Sequence, residues 1–160
     1  MSVITLVNQI EDRTGKTMSL VAIATKMAID NNNKILIVST TNKNDKIKPC
    51  FFEEKEPKKM KFGIFGENKS PMENESGIEG IAKIARSNKL TPELITNYTK
   101  VVFKDRLEIL TGSVKKETKT MKNIDEKEME DEYYDIINVA AMYYDMVFVD
   151  LDNGLREDVR

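Results

Sequence analysis

Two short apolar runs on either side of a helical pattern constrain the fold more than any other feature of this chain. Residues 3–7 and 34–38 are compact runs rich in β-branched side chains, and the first is typical of a strand buried on both faces. Between them, apolar residues recur at helical spacing from Leu20 to Ala28, until three asparagines at 31–33 end the pattern. Strand, helix and strand in this order predict parallel strands joined by a right-handed crossover, and therefore an α/β fold.

The alternation continues in the second half of the chain, after a polar segment. Residues 41–76 are interrupted by prolines, glycines and charged side chains, and we interpret them as a long surface insertion. Thr91 followed by Pro92 predicts the start of a short helix, with Thr91 as its N-cap. Apolar patterns predict two further helices, at residues 78–85 and 131–144, and two further strands, at residues 107–110 and 146–149. We therefore expect residues 1–160 to form one three-layer α/β/α domain around a mostly parallel sheet.

Composition excludes several classes of function. With 40% hydrophobic and 32% charged side chains, the chain has an ordinary globular balance, and its net charge of -2 lacks the basic excess of nucleic-acid binders. The absence of histidine and the single Cys50 exclude a Ser-His or Cys-His catalytic pair and zinc held by imidazole or a thiolate cluster. Any metal must therefore have oxygen ligands. The single cysteine and the lack of a signal or membrane segment predict a cytoplasmic protein.

One stretch of the insertion is locally basic. Between Asn42 and Phe62, seven lysines accompany four acidic residues, and Phe51 and Phe52 lie among them. A solvated loop is the simpler interpretation. The alternative is contact with an acidic partner, a nucleic acid or a membrane surface, and the composition favours none of these over the others.

Gly15, Lys16 and Thr17 stand between the first strand and the first helix, as a phosphate-binding loop requires. Backbone N–H groups and the positive end of a helix attract phosphate oxygens, a lysine reaches the outer phosphates, and a threonine hydroxyl can bind magnesium. The alternative is a tight turn that only opens a helix. On the first interpretation we predict nucleotide contacts from six consecutive residues: Arg13, Thr14, Gly15, Lys16, Thr17 and Met18.

Asp150 follows the last apolar run and is the candidate carboxylate for the same site. A magnesium-bound nucleotide needs a carboxylate at the end of a neighbouring buried strand, where it orients the metal. The alternative is a turn-forming role within residues 150–154. We predict that Thr17 and Asp150 together hold Mg²⁺.

The order of these motifs resembles that of ParA/MinD-type ATPases, most of all their divergent pilus-assembly and localisation branch. The resemblance depends on six segments: residues 3–7, 15–19, 34–38, 77–80, 106–112 and 144–150. It implies a P-loop NTPase, Rossmann-like architecture, ATP and Mg²⁺ as ligands, and a homodimer. It also implies a role in positioning or assembling cellular machinery, with a protein partner from localisation or secretion machinery.

The loop departs from the pattern of these ATPases. Ile10 stands at the first glycine position of the general loop, and Glu11 and Asp12 fall where relatives carry lysine and glycine. A carboxylate about 6 Å from a phosphate charge costs about 2–3 kcal/mol at an effective dielectric constant of about 20, and this corresponds to roughly a hundredfold loss of affinity. Glu11 also replaces the lysine that relatives extend to their partner's nucleotide, so activation across a dimer is not expected.

The end of the second predicted strand departs from the pattern as well. Relatives carry aspartates there that position magnesium or the attacking water, whereas this chain has Ser39, Thr40 and Thr41. Hydroxyl groups cannot act as that base, so we expect slow or absent hydrolysis. Relatives also continue beyond the strand that ends at Asp150, and we therefore expect the sequence to be truncated.

Two other interpretations stay open beside a weak or degenerate ATPase. In the first, the chain is a non-catalytic scaffold: Glu11 or Asp12 occupies the N–H groups of its own loop, and residues 41–76 contact a partner. In the second, the chain is an unrelated α/β binding domain in which the Gly-Lys-Thr triplet occurs by chance.

Overall fold

The computed structural model describes residues 2–6, 15–40, 46–53, 77–87, 89–111 and 126–151. Five strands form one sheet in these residues: β1 Ser2–Leu6, β2 Ile35–Ser39, β3 Lys100–Phe103, β4 Leu107–Leu110 and β5 Met146–Asp150. Five helices accompany them: α1 Lys16–Asp30, α2 Lys48–Phe51, α3 Ile78–Arg86, α4 Pro92–Thr96 and α5 Glu126–Tyr143. None of the helices in the described ranges has the length and apolar character needed to cross a bilayer.

The strands lie in the order β1-β5-β2-β4-β3. Four of them are parallel, and only β3 runs antiparallel to its neighbour β4. Because β5 pairs with both β1 and β2, Asp150 lies opposite Leu6 on one side and Ser39 on the other. The carboxyl ends of three strands therefore meet at one edge of the sheet.

Alternate residues of the central strands enter opposite layers, because successive side chains of a strand point to opposite faces. Leu36 and Val147 pack with α3, α4 and α5, whereas Ile37 and Phe148 pack with α1. All four side chains are fully buried, and each contributes about 1.5–3 kcal/mol by leaving water. The predicted three-layer α/β/α architecture with a mostly parallel sheet is confirmed.

Three details differ from the sequence-based expectation. Strand β1 was expected to be buried on both faces, but it lies at one edge of the described sheet, and Val3 is 44% exposed. An apolar run favours a strand without specifying whether it is central. Strand β3 was not predicted, although Val101 and Val102 give it β-branched character. Within the segment interpreted as an insertion, Ile47 is fully buried beside α1, because α2 brings it there.

Both ends of α1 have identifiable determinants. Gly15 is its N-cap and adopts the left-handed conformation with φ of 71°, which favours glycine because it lacks a Cβ atom. At the other end, the Arg106 guanidinium donates to the carbonyl oxygen of Asn31 at 2.9 Å. Thr91 is the N-cap residue of α4, as expected, but its hydroxyl makes no capping hydrogen bond.

Candidate functional site

The start of α1 lies beside the end of β5. Gly15 precedes the helix, and a Cβ atom built on it would meet no atom of the described residues within 4 Å. The first N–H groups of a helix have no intrahelical acceptor and carry the positive end of its dipole. The first turn of α1 contains no acidic side chain, so its own residues do not neutralise this positive end.

Lys16, Thr17 and Asp150 meet at this edge of the sheet. The Thr17 hydroxyl donates to Asp150 Oδ2 at 2.7 Å, and Lys16 Nζ lies 3.0 Å from Asp150 Oδ1. The contact with Oδ1 is a charge contact, because none of the described residues donates to that oxygen with hydrogen-bond geometry. The side chain of Asp150 is only 1% exposed. The structure thus brings together three of the seven residues that the sequence indicated as nucleotide and metal ligands.

Two further contacts fix the end of β5. The Lys16 ammonium group also donates to the backbone carbonyl of Leu151. The backbone N–H and the hydroxyl of Thr40 both lie 3.2 Å from the carbonyl oxygen of Asp150 and donate to it. Sequence reasoning missed both contacts. The contact of Leu151 depends on where the start of α1 lies beside β5, and that of Thr40 depends on the pairing of β2 with β5.

The residues present fit a magnesium ion that is shared with a phosphate ligand. Thr17 Oγ1 and Asp150 Oδ2 are hard oxygen donors within 2.7 Å of each other. Mg²⁺ is commonly held by one or two protein oxygens and completes its octahedron with water and phosphate oxygens. No group of three or more histidine, cysteine, aspartate or glutamate side chains suitable for a metal occurs among the described residues. Within the described residues, a cation at Thr17 and Asp150 would have two protein oxygens as ligands, and water and phosphate oxygens would complete its coordination.

The remaining predicted site residues are placed as follows. Met18 belongs to the first turn of α1, but its side chain is 62% exposed and its sulfur accepts from the Cys50 thiol at 3.8 Å. Arg13 and Thr14 lie outside the described residues, as do Ile10, Glu11 and Asp12. Ser39 ends β2 and is buried opposite Asp150.

A second buried carboxylate, Glu108 on β4, belongs to a cluster that the sequence did not reveal. Its Oε2 accepts hydrogen bonds of 2.6 Å from the hydroxyls of Thr99 and Tyr144. Its Oε1 lies 3.5 Å from Lys34 Nζ, which also donates to the Tyr143 hydroxyl at 2.9 Å. Glu108 is 5% exposed, and both of its oxygens face polar groups.

The pKa values in this cluster follow from the contacts. Burial, together with the hydrogen bond and charge of Glu108, raises the pKa of Tyr144 well above its ordinary range. Burial alone would lower the pKa of Lys34, but the hydrogen bond to Tyr143 and the charge of Glu108 outweigh it and raise that pKa. Lys34 therefore stays positive and Tyr144 stays neutral at neutral pH.

Comparison with known proteins identifies the fold. No protein-family model matches the chain, and no curated protein matches it. The chain is similar to the crystal structure of a ParA family ATPase from Chlorobium tepidum TLS, with a TM-score of 0.60 and 12% sequence identity. The match covers 93% of this chain and 50% of that protein, so the chain spans about half of its length. The fold is therefore a ParA-like α/β fold of the P-loop NTPase type.

Proposed function

We propose that the chain binds ATP together with Mg²⁺ at the junction of α1 and β5. The observation that carries this proposal is the convergence of Lys16, Thr17 and Asp150 within 3.0 Å at the carboxyl edge of a parallel sheet. Ligands of open α/β sheets bind at this edge. The ParA-like fold supports the same ligand class.

Each residue has a distinct task in this proposal. The N–H groups of the first turn of α1 bind phosphate oxygens, with Gly15 leaving open space beside the backbone, and Arg13 and Thr14 continue this loop. Lys16 pairs with the outer phosphates, while Thr17 and Asp150 hold the metal. Magnesium, when bound, supplies positive charge to the phosphate oxygens.

We propose further that hydrolysis is slow or absent. Ser39 and Thr40 occupy the end of β2 beside Asp150, where a base could face an attacking water. A hydroxyl group is too weak a base for this proton. The protein would then act through its nucleotide-bound state, and the ParA-like fold suggests a cytoplasmic homodimer that positions or assembles cellular machinery through a localisation or secretion partner.

A non-catalytic scaffold is the second candidate function. It is favoured by the fact that Lys16 and Thr17 contact Asp150 directly, without a ligand between them. In this case the same contacts stabilise the fold, and partner binding takes place elsewhere on the surface. The residues Glu11 and Asp12, on which this interpretation first depended, lie outside the described residues.

Nucleotide binding is tested by thermal unfolding and by titration with labelled ATP. At a ligand concentration of about 100 times Kd, binding adds about 2.7 kcal/mol of stability, which corresponds to a rise in Tm of roughly 5–10 °C. Lys16→Ala should abolish the rise. Lys26→Ala is the matched control, because Lys26 lies on the same helix but its side chain is 73% exposed and pairs with Asp30, away from Asp150. No rise in the wild type would contradict the proposal and favour the scaffold.

A further inference from the structure

A row of buried polar side chains follows the carboxyl edge of the sheet, on the face that packs against α1. Asp150 pairs with Ser39, and both residues are only 1% exposed. On the next strand, Leu107 and Ile109 pack with α1, and Thr111 continues the same face because side chains alternate along a strand. Thr111 is 8% exposed. The row therefore crosses the ends of β5, β2 and β4.

Thr111 is held by its backbone, whereas the fold does not use its hydroxyl. The Thr111 carbonyl oxygen accepts from the N–H of Ile78, the first residue of α3, at 3.2 Å. Within the part of the chain that the structure describes, no group makes a hydrogen bond with the Thr111 hydroxyl. A buried hydroxyl without a partner costs free energy, and valine would fill the same space without this cost. Packing alone therefore does not explain a threonine at this position.

The distance from Asp150 to Thr111 suits one phosphate group. Because β2 lies between β4 and β5, the two residues are two strand spacings apart, which is roughly 10 Å between their backbones. Lys16 Nζ, which is expected to pair with the outer phosphates, lies 3.0 Å from Asp150 Oδ1 at one end of this row. One phosphate group with a hydrogen bond of about 2.8 Å on either side spans most of the gap between Lys16 and Thr111.

We propose that Thr111 is a specificity-determining residue that donates its hydroxyl to the terminal phosphate of a triphosphate chain. The inference rests on the proposed function for the position of the other phosphates. It extends the ligand site from the first turn of α1 to the end of β4. A hydrogen bond to a charged group corresponds to at least about tenfold in affinity. A diphosphate is one group shorter and leaves the hydroxyl without a partner, so Thr111 favours triphosphate over diphosphate by about this factor.

The experiment is a calorimetric titration of the wild type, Thr111→Val and Thr111→Ser with ATP and with ADP, each with Mg²⁺. Valine keeps the shape of the side chain and removes the hydroxyl, so ATP affinity should fall at least about tenfold while ADP affinity stays the same. Serine keeps the hydroxyl and should bind ATP as the wild type does. Unchanged ATP affinity in Thr111→Val, or an equal loss for ADP, overturns the inference.

Thermal unfolding without a ligand separates this task from a structural one. Thr111→Val should keep or raise the Tm, because it removes a hydroxyl that the described residues leave without a partner. Thr111→Ser should lower the Tm by about 2–4 °C, because it loses one buried methyl group. Affinity and stability should thus be lost in opposite variants. A lower Tm in Thr111→Val would show that the hydroxyl supports the fold and would contradict the inference.

Thr99→Val is the matched control for hydroxyl removal. The Thr99 hydroxyl donates to Glu108, so this variant should lower the Tm and leave the affinities for ATP and ADP unchanged. A loss of ATP affinity in Thr99→Val equal to that in Thr111→Val would overturn the inference, because the effect would then not belong to the row at the carboxyl edge.

Titration with tripolyphosphate and pyrophosphate separates this inference from the proposed function. If the wild type binds tripolyphosphate, Thr111→Val weakens that binding and ATP does not bind, the inference stands and nucleotide binding fails. If the wild type binds ATP and Thr111→Val binds it equally well, nucleotide binding stands and the inference fails. If the wild type binds none of these ligands, both fail.

Discussion

Glu108 and Asp150 are two buried carboxylates in the same sheet, and they differ in the groups that compensate them. Glu108 on β4 pairs with Leu36 on β2, which pairs in turn with Val147 on β5. Asp150 lies three residues beyond Val147, roughly 10 Å further along the strand. Hydroxyls and an ammonium group cover both oxygens of Glu108. The partners of Asp150 come from the start of α1, and one of its oxygens has only a charge contact.

The comparison teaches how to separate a structural carboxylate from a functional one. The partners of Glu108 come from three surrounding parts of the fold, so the cluster ties the layers together. The partners of the Asp150 carboxylate, Lys16 and Thr17, both come from the first turn of α1, and their side chains are also suited to bind a phosphate ligand. We therefore expect changes at Glu108 to reduce stability, and changes at Asp150 to alter binding.

The largest effect is expected from a matched pair of charge-removing variants. Glu108→Gln should lower the free energy of unfolding by about 3 kcal/mol, because it breaks a buried hydrogen-bonded network. Asp150→Asn should lower it by a smaller amount, about 1.5 kcal/mol, since Asp150 accepts one side-chain hydrogen bond where Glu108 accepts two, and Lys16 keeps its hydrogen bond to the Leu151 carbonyl. Urea denaturation of both variants measures the difference. A larger loss in Asp150→Asn would reverse the assignment of the two carboxylates.

The next largest loss of stability is expected for Tyr144→Phe, which should also change how the free energy of unfolding depends on pH. Tyr144→Phe should reduce the free energy of unfolding by about 2 kcal/mol at neutral pH, because it removes a hydrogen bond to a charged group. The raised pKa means that the folded state holds the phenol proton more tightly than the unfolded chain. This stabilisation is fully present below about pH 10 and is lost as the pH rises above it.

The free energy of unfolding of the wild type should consequently fall steeply on the alkaline side, and that of Tyr144→Phe should fall less steeply. Lys34 is retained in the variant, and its raised pKa gives a residual loss in the same direction. Parallel pH profiles for the two proteins would mean that Tyr144 does not contribute to alkaline unfolding.

Two threonines allow a hydroxyl-deletion test of the same contrast. Thr99→Val and Thr17→Val each remove one hydrogen bond to a buried carboxylate, and each should lower the free energy of unfolding by about 1.5 kcal/mol. Only Thr17→Val should also weaken the effect of magnesium on ATP affinity. A comparable change in nucleotide affinity in Thr99→Val would show that the two carboxylate clusters are not independent.

The smallest effect is expected at Gly15. Gly15→Ala places a Cβ atom on a left-handed residue with φ of 71° but introduces no contact within 4 Å with the part of the chain that the structure describes. The expected loss of stability is about 1 kcal/mol, from backbone strain alone. Thermal unfolding measures it. Restored stability on addition of MgATP would show that the strained turn still accepts phosphate, whereas lost binding would indicate that the phosphates come closer than the open space suggests.

Much of the fold was predictable from local patterns. The strand at residues 107–110 was predicted with the bounds that the structure gives, and the start of α4 was predicted from Thr91 and Pro92. The position of β1 at the sheet edge was not predictable, because periodicity does not encode strand order. The same limit applies to Ile47, whose burial depends on where α2 lies and on no pattern in the surrounding polar segment.

The candidate site divides in the same way. Gly15, Lys16, Thr17 and Asp150 were identifiable from the sequence, because a phosphate-binding turn and a strand-end carboxylate are local motifs with a known chemical basis. Their mutual contacts required the parallel pairing of β5 with β1 and β2, which joins residues more than 100 positions apart. The Glu108 cluster carries no such motif, since Thr99, Tyr144 and Lys34 become neighbours only after folding.

The amino-acid sequence by itself therefore determined the alternation of strands and helices and the residue types at the phosphate-binding turn. Tertiary structure alone decided which carboxylate neutralises which lysine. The physical reason is that short-range backbone preferences act within a few residues, whereas the compensation of a buried charge depends on which strands become neighbours.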